Sequence, residues 1–412
     1  MNRYSSYKDS GVAWIDEIPE HWKQIKLKHQ FKIQKGKIPT ILYDEFKDGL
    51  IPYLSMDVLR GSTSLNFTDA NDGIFVSRHQ ILILWDGSNS GEIIKIENDG
   101  ILSSTMGVLN TVNCYLNNEF SFYQLKYNEA EIRNNTNGMG IPHVDGGYVR
   151  NLPLFVPPLH EQEQIVSYLD KKTAIVDALI ASKVQKINLL KENRTALINH
   201  VITKGLDPNV KLKDSGVEWI GEIPEHWEVK KIKYCLNHIS QKGTTKLNDI
   251  KISPENVESD TGICFNYHSE YEGEGMKFSK GDILLNKLRV YLKKIVLTDC
   301  EGYSMGEMIV LRTINGFNKY FYFTLFNQLL INFWNTQANG VKLPRVSPDI
   351  ILNTKTVFPP LDEQIVIVQY IDTHTQEIDE LISLEGKKIA TLKEYRQALI
   401  SEVVTGKIKV VN

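Results

Sequence analysis

Apolar residues recur at every third or fourth position along two long stretches of the chain. The first stretch lies within residues 157–205, and the second begins at Pro359, which is 202 positions after Pro157. The repeated positions of the first stretch are Val166, Leu169, Thr173, Val176, Ile180, Lys183, Ile187, Leu190, Arg194, Leu197 and Val201. Those of the second are Val368, Ile371, Thr375, Ile378, Ile382, Glu385, Ile389, Leu392, Arg396, Leu399 and Val403. This spacing is the seam of a coiled coil, so the pattern predicts two long helices.

The two helices are expected to pair with each other. Each begins after a Pro-Pro-Leu sequence and covers about 43 residues, or roughly 65 Å at 1.5 Å per residue. Proline favours such a start because it fixes its own φ and disfavours helix in the preceding residue. Antiparallel pairing would relate the copies by a pseudo-two-fold axis and place a globular segment at each end. The alternative is that both are ordinary members of a helical bundle.

Polar residues occupy the same three seam positions in both copies. An antiparallel pairing about the centre places Lys183 opposite Glu385, which makes these two charges neighbours. The same alignment brings Arg194 towards Thr375 and Arg396 towards Thr173. Such polar layers cost stability but penalise slipped alignments, so we interpret them as register markers. The alternative is that both charges extend to solvent where the helices splay apart.

A second duplicated element precedes each globular segment. Residues 8–29 recur at 213–234 with 15 of 22 positions identical, at an offset of 205. Their apolar residues surround a proline with a spacing too irregular for a long helix, so we interpret each copy as a packing clip. The second clip should fold against the end of the first helix at Gly205, and the first clip against Val403–Gly406. The alternative function for its tryptophans is stacking on nucleic acid bases.

The globular segments, named here the first head (30–156) and the second head (235–356), show the same order of features. Short β-branched and aromatic runs alternate with turn residues, and a helix and a Gly-rich polar loop follow. The predicted helices cover 120–132 and 318–334. The fold class is therefore α+β, with two similar domains separated and joined by two long helices that form an antiparallel coiled coil. The predicted boundaries are 1–156, 157–206, 207–356 and 357–412.

Composition narrows the functional classes. Hydrophobic residues make up 42% and charged residues 24%, as in an ordinary soluble protein. With no long apolar stretch, the expected location is cytoplasmic, away from the membrane. Neither the four scattered cysteines nor the histidines have metal-site spacing, so no metal is expected. Phosphate-binding loops, nucleophile elbows, dinucleotide-binding motifs and amino-methyltransferase motifs are also missing, so we expect a non-catalytic protein.

The charge balance bears on nucleic acid binding. The whole chain carries a formal charge of −3. The first head has 10 Lys and Arg against 14 Asp and Glu, and the second has 14 against 12. Because neutralised phosphates supply most non-specific DNA affinity, tight binding would need basic surface from a partner. This balance favours a subunit over a stand-alone DNA-binding protein.

Polar and basic loop residues are the candidates for DNA contact. Arginine and lysine suit guanine edges and phosphates, and asparagine and glutamine suit adenine; solvated loop charge is the alternative for each one. The sequence Gln34-Lys35-Gly36-Lys37 is matched with Gln241-Lys242-Gly243. The first-head candidates are Gln34, Lys35, Lys37, Arg60, Arg78, Ser88, Asn89 and His143. The second-head candidates are Gln241, Lys242, Thr244, Lys246, Asn286, Lys287, Arg289, Lys293, Lys342 and Arg345.

The duplicated sequences resemble a known family. The clip KDSGVEWIGEIPEHW and the helix openings PPLHEQEQIVSYLD and PPLDEQIVIVQYID are similar to those of specificity subunits of type I restriction-modification systems, over essentially the whole chain. The resemblance implies that each head is a target-recognition domain for half of a bipartite sequence in double-stranded DNA, and that the helices fix the spacer. It implies partners as well: two methyltransferase subunits that methylate adenine, and two ATP-dependent restriction subunits. S-adenosylmethionine, ATP and Mg are expected on those partners, with no cofactor bound by this chain.

Two other functions remain open from the sequence. One is a coiled-coil adaptor whose heads bind proteins. The other is a DNA-modifying enzyme, which the missing motifs disfavour.

Overall fold

The computed structural model describes residues 3–62, 65–138, 140–267, 272–340 and 342–410. These residues form two compact units. The first extends from the N-terminus to Ser182 and includes the segment from Lys388 onward, and the second is Lys183–Lys387. Each unit therefore contains one clip, one head and half of each long helix.

The long helices extend over Leu159–Lys204 and Leu361–Val404. They are called here the first and second long helix. All twenty-two predicted seam positions are buried or partly buried, as a packed seam requires. In the second unit Lys183 contacts Glu385 and Arg194 contacts Asp379. Residue numbers rise along one helix as they fall along the other, so the pairing is antiparallel and the predicted fold class is confirmed.

The first unit is built from two four-stranded sheets. In spatial order, the antiparallel sheet contains Phe31–Lys35, Met106–Thr111, Ile81–Leu84 and Ile93–Lys95. The mixed sheet contains Asn66–Asp69, Leu50–Leu54, Gly100–Leu102 and Phe75–Val76. Two-stranded pairs join Tyr7–Asp9 to Glu17–Pro19, Lys23–Lys26 to Pro153–Val156, and Thr136–Asn137 to His143–Val144. Short helices cover Leu27–Gln30, Met56–Leu59, Asn118–Tyr127, Glu129–Asn134 and Gly146–Asn151.

The second unit repeats this plan. Its antiparallel sheet contains Leu236–Ile239, Met308–Thr313, Ile283–Asn286 and Ile295–Leu297. Its mixed sheet contains Lys242–Thr244, Glu274–Phe278, Gly302–Ser304 and Lys251–Ile252. Two-stranded pairs join Leu212–Asp214 to Glu222–Pro224 and Glu228–Lys231 to Lys355–Phe358. Helices cover Asn318–Leu325, Gln328–Thr336 and Pro348–Asn353, and 3₁₀ turns cover Ile232–Tyr234, Pro254–Asn256 and Val290–Leu292.

The single helix predicted in each head is two helices. In the second head the break falls at Asn327, whose side chain accepts hydrogen bonds from the backbone N–H groups of Leu329 and Leu330. A side-chain acceptor at this position satisfies donors that a new helix leaves unpaired. The apolar pattern is continuous across the break, which is why periodicity alone predicts one helix.

Each clip packs into the core of its own unit. In the first unit Trp22 and Ile18 are fully buried in a core that includes Val403 of the second long helix. In the second unit Trp227 is buried in a core that includes Val201 of the first long helix. The packing prediction is therefore confirmed at both helix ends. One clip residue differs, since 41% of Trp14 is exposed.

Candidate nucleic-acid interface

A glutamate in the first turn of each long helix holds the clip of the same unit. Glu161 accepts hydrogen bonds from the indole N–H of Trp22 at 3.2 Å and lies 2.7 Å from His21 Nε2. Glu363 does the same with Trp227 at 2.9 Å and with His226 at 2.6 Å. The partial positive charge at a helix N-terminus also stabilises a carboxylate there.

The next residue of each helix holds the head. The Gln162 side chain accepts a hydrogen bond from the backbone N–H of Asn117 and donates to the Pro157 carbonyl. Gln364 makes the corresponding bonds with Phe317 and Pro359. Both glutamines are fully buried, so these bonds fix each head on its helix opening. The Glu-Gln pair was missed as a structural element, although its duplication beside the duplicated His-Trp of the clip was visible.

A left-handed glycine ends each long helix against the clip. Gly406 has φ 72° and its carbonyl accepts a hydrogen bond from Tyr7 Oη at 3.0 Å. Gly205 has φ 74°, and a Cβ there would lie 3.1 Å from Trp227 Cζ2. Glycine is the usual residue where a helix ends in this conformation. Clip, helix end and head are thus one rigid frame in each unit.

A carboxylate with a lysine and a histidine as partners lies at the end of a central strand of the first head. Asp86 Oδ2 is 2.6 Å from Lys35 Nζ, and Asp86 Oδ1 is 2.6 Å from His143 Nδ1. Partial burial would raise the pKa of Asp86, but the hydrogen bonds from Lys35 and His143 outweigh it and lower that pKa. The cluster brings together two of the predicted candidates, Lys35 and His143.

The second head has a charged cluster at the corresponding place, but the cluster is built from different residue types. Glu307 lies 3.4 Å from Lys287 and also pairs with Arg345. The two loops are equivalent because Gly87 N–H donates to Pro142 O, and Arg289 N–H donates to Pro344 O. In each head this backbone frame therefore holds one carboxylate that contacts two basic side chains, but different residues form the cluster in the two heads.

The predicted match between the two Gln-Lys-Gly sequences is wrong. Strand pairing aligns Gln34 with Val108 and Ile239 with Val310. The residue equivalent to Gln34 is therefore Ile239, at the same offset of 205 as the clips. Gln241 follows two positions later, and Lys242 begins a strand of the mixed sheet. The two Gln-Lys-Gly sequences therefore occupy different structural positions in the two heads.

The other first-head candidates are spread over several loops. Gln34 accepts a hydrogen bond from Asn110, Arg60 pairs with Glu92, and Arg78 lies 3.8 Å from Glu97. Lys37 and Ser88 are exposed and Asn89 is partly buried. Arg60 and Arg78 thus have carboxylate partners within the protein, and only part of the predicted set is brought together.

The second-head candidates divide into paired and open residues. Lys242 pairs with Glu274 at 2.8 Å, and the buried Lys293 lies 3.3 Å from Asp260. Asn286 is buried and accepts a hydrogen bond from the Leu288 backbone. The exposed candidates whose side chains have no carboxylate partner among the described residues are Gln241, Thr244, Lys246, Arg289 and Lys342, whereas Arg345 is exposed but pairs with Glu307.

The predicted contact at the centre of the helix pair is present. Lys183 Nζ lies 2.9 Å from one oxygen of Glu385, and Lys186 Nζ lies 2.9 Å from the other. Only 2% of the Glu385 side chain is exposed, against 26% for Lys183. The carboxylate is therefore enclosed in the seam, and the alternative of two charges extending to solvent is excluded for Glu385.

The seam arginines have partners other than those predicted. Arg194 Nε lies 3.2 Å from Asp379, and Arg396 Nε lies 2.9 Å from Asp177. Thr375 and Thr173 instead bond to carbonyls of their own helices. Each aspartate lies one turn beyond the predicted threonine, within reach of a long side chain. Neither Nε–H is aligned for a hydrogen bond, so these contacts are ion pairs.

The described residues contain neither a metal-binding cluster nor a membrane-spanning helix. In the part of the chain that the structure describes, no group of three His, Cys, Asp or Glu residues could hold a metal ion. No helix among the described residues is long and apolar enough to cross a membrane.

Comparison with known proteins agrees with this architecture. The model of the type I restriction modification DNA specificity domain matches residues 19–189. The MjaVIII specificity subunit of Methanocaldococcus jannaschii is 28% identical and covers 96% of this chain and 95% of its own length. The EcoDI specificity subunit of Escherichia coli is 23% identical and covers 95% of this chain and 90% of its own length.

A solved structure has the same fold. One chain from a study of complex assembly and conformational transition of the type I R-M system has a TM-score of 0.67 and 15% identity. The similarity covers 95% of this chain and 99% of that one. Two similar heads and an antiparallel helix pair, with each clip held at a helix opening, are the features that this fold comprises. Over nearly its whole length the chain is similar to specificity subunits of type I restriction-modification systems.

Proposed function

We propose that this chain selects the DNA target of a type I restriction-modification complex, with each head reading one half of a bipartite sequence. One observation carries the proposal: equivalent loops on one backbone frame bear different chemistry. Trp85, Asp86 and Gly87 in the first head correspond to Lys287, Leu288 and Arg289 in the second. A protein that reads two unlike half-sites needs this combination of a repeated frame and divergent loops.

The chemistry of these loops suits base and phosphate contacts. In the second head, Arg289, Lys342 and Arg345 are exposed, the backbone of Arg289 is bonded to the loop that carries the other two, and Glu307 balances part of their charge. In the first head, Asp86 balances Lys35. The first head therefore depends less on phosphate attraction and more on hydrogen bonds, whose loss at one base pair typically costs about 1–3 kcal/mol.

The helix pair is proposed to set the spacer between the half-sites. A displacement by one heptad would shift a head by roughly 10 Å, or about three base pairs. The enclosed Glu385 opposes such a shift, because a slipped helix would bury it without Lys183 and Lys186. The alignment of the two long helices therefore sets the number of base pairs between the two half-sites.

Catalysis is assigned to partner subunits. We propose that two methyltransferase subunits dock on this chain and that two restriction subunits complete the assembly, with S-adenosylmethionine, ATP and Mg bound by those partners. The charge balance of the heads supports this assignment: the first has 10 Lys and Arg against 14 Asp and Glu, the second has 14 against 12, and a partner would contribute further phosphate contacts. Such a complex acts on cytoplasmic DNA.

A gel-shift experiment tests the proposal against its rivals. The chain, its methyltransferase partner and their complex are incubated separately with a pool of random 40-base-pair duplexes. We expect that only the complex binds the DNA tightly and methylates it, and that neither the chain nor the methyltransferase does so by itself. Absence of DNA binding in every condition would favour the protein-binding adaptor, and methylation by the chain alone would favour an enzyme.

A pair of variants locates the interface. Lys342→Ala, in the second head, should weaken binding of the complex and lower the slope of log affinity against log salt by about one. Lys213→Ala removes an exposed lysine from the clip and serves as the matched control. Equal effects of the two substitutions would contradict the assignment of this loop.

A further inference from the structure

Two cations of the second head occupy a backbone conformation that suits glycine. Arg289 has φ 52° and Lys293 has φ 46°, and they flank the turn Val290–Leu292. Side chains with a Cβ are disfavoured in this left-handed region. A residue held there against its preference is a reason to look for a function.

The first head shows what the frame itself requires. At the offset of 202, Gly87 and Gly91 correspond to Arg289 and Lys293, and their φ values are 116° and 92°. Glycine adopts these conformations without steric cost. The second head therefore retains a cation at two positions where the unstrained residue is found in the other copy.

The two cations differ in their surroundings. Lys293 is buried and lies 3.3 Å from Asp260 Oδ1, so an internal ion pair accounts for it. Arg289 is exposed, and no carboxylate of the described residues lies within ion-pair distance of its guanidinium. Its neighbours Lys287 and Arg345 share Glu307. Arg289 is thus oriented by the backbone and left open to a ligand.

From this geometry we infer that Arg289 is a specificity-determining residue that reads a guanine in the half-site of the second head. The inference rests on the proposed function. A guanidinium makes two parallel hydrogen bonds to guanine O6 and N7, which requires a fixed direction of approach. A phosphate contact requires charge more than direction, and a flexible lysine supplies that. The hydrogen bond from Arg289 N–H to Pro344 O, at 2.7 Å, fixes the backbone as such a reading contact needs.

Arg289→Gly is the decisive substitution, because it removes the guanidinium and introduces the residue that the first head has. The complex with the methyltransferase should assemble as before and unfold at an equal or higher temperature. In the methylated motif of cells that express it, one guanine of one half-site should become degenerate. In competition between duplexes with and without that guanine, discrimination should fall roughly 5- to 150-fold.

Asp16→Gly is the matched control. Asp16 is exposed, has φ 62° and corresponds to Gly221 of the second clip at the offset of 205. This substitution relieves the same kind of strain outside the heads and should leave the motif unchanged.

The outcomes separate this inference from the function on which it rests. If the parent complex methylates a bipartite motif and Arg289→Gly methylates the same motif without degeneracy, the reading role of Arg289 is refuted. A change confined to salt dependence would also refute it. If the parent complex shows no sequence-specific methylation, the proposed function itself fails.

Discussion

Lys183 and Glu385, which are 202 positions apart in sequence, form an ion pair of 2.9 Å at equivalent places of the two long helices. The pair is asymmetric in its surroundings. Glu385 is enclosed and accepts from Lys186 as well, whereas a quarter of Lys183 is exposed. A duplicated seam position with opposite charges in the two copies gives the helix pair a preferred alignment.

A double-mutant cycle tests this pair. Lys183→Leu and Glu385→Leu should show a coupling of about 1 kcal/mol or more in thermal unfolding, because each single variant removes one partner of a contact in the seam. Lys186 remains beside Glu385 and limits the loss in Lys183→Leu.

Lys319 and Asp372 provide the control cycle. Their ion pair measures 2.8 Å, but more than a third of each side chain is exposed. Solvent screening should reduce its coupling to about 0–1 kcal/mol. Additive effects at the Lys183 pair, or equal couplings in both cycles, would remove the argument for a register marker.

The glycine that ends the second long helix gives a second prediction. Gly406→Ala should lower the free energy of unfolding by more than about 1 kcal/mol, because φ is positive and the new Cβ would lie 2.4 Å from Pro19 Cδ. The control is Gly386→Ala in the interior of the same helix, where no atom lies within 4 Å of the added Cβ. Alanine at position 386 should raise the free energy of unfolding by about 0.5–1 kcal/mol. Effects of the same sign in both variants, measured by chemical denaturation, would contradict this account.

The Asp86 cluster predicts a pH dependence. Its pKa lies below the ordinary value of 3.8, so the ionised form is favoured in the folded protein. The stability that this contributes is present above pH 3.8 and is lost as the pH falls through the lowered folded value. The stability of the parent relative to Asp86→Asn should therefore shrink as the pH is lowered from 6 to 3.

The exposed Asp48 provides a control for this titration. It makes no ion pair within the described part of the chain. The free energy of unfolding of Asp48→Asn should change with pH in the same way as that of the parent. A constant difference between the parent and Asp86→Asn across this range would show that Asp86 is not held in its ionised form.

Duplication made much of this fold predictable. The offset of 202 between the helices predicts both the shared seam and the contact between Lys183 and Glu385. The arginine contacts were not predicted, because counting seam layers treats every side chain as equally long. Arg194 extends one turn further to Asp379. Thr375 satisfies its hydroxyl within its own helix.

The heads were less predictable than the frame. The order of their strands follows from alternating apolar runs, but the loops have changed length between the copies. A local likeness such as Gln-Lys-Gly therefore suggested a false equivalence, which strand pairing corrects. The significance of Arg289 was also hidden, because the sequence does not reveal a positive φ unless glycine occupies the position. Only the comparison with Gly87 in three dimensions shows it.

The central claim is that two heads on one frame read two half-sites independently. The most direct test exchanges residues 30–156 for the same segment of a relative and maps the methylated sequence in cells that express the complex. One half of the bipartite motif should change, while the other half and the spacer remain as in the parent. A change in both halves, or no change in either, would contradict the account.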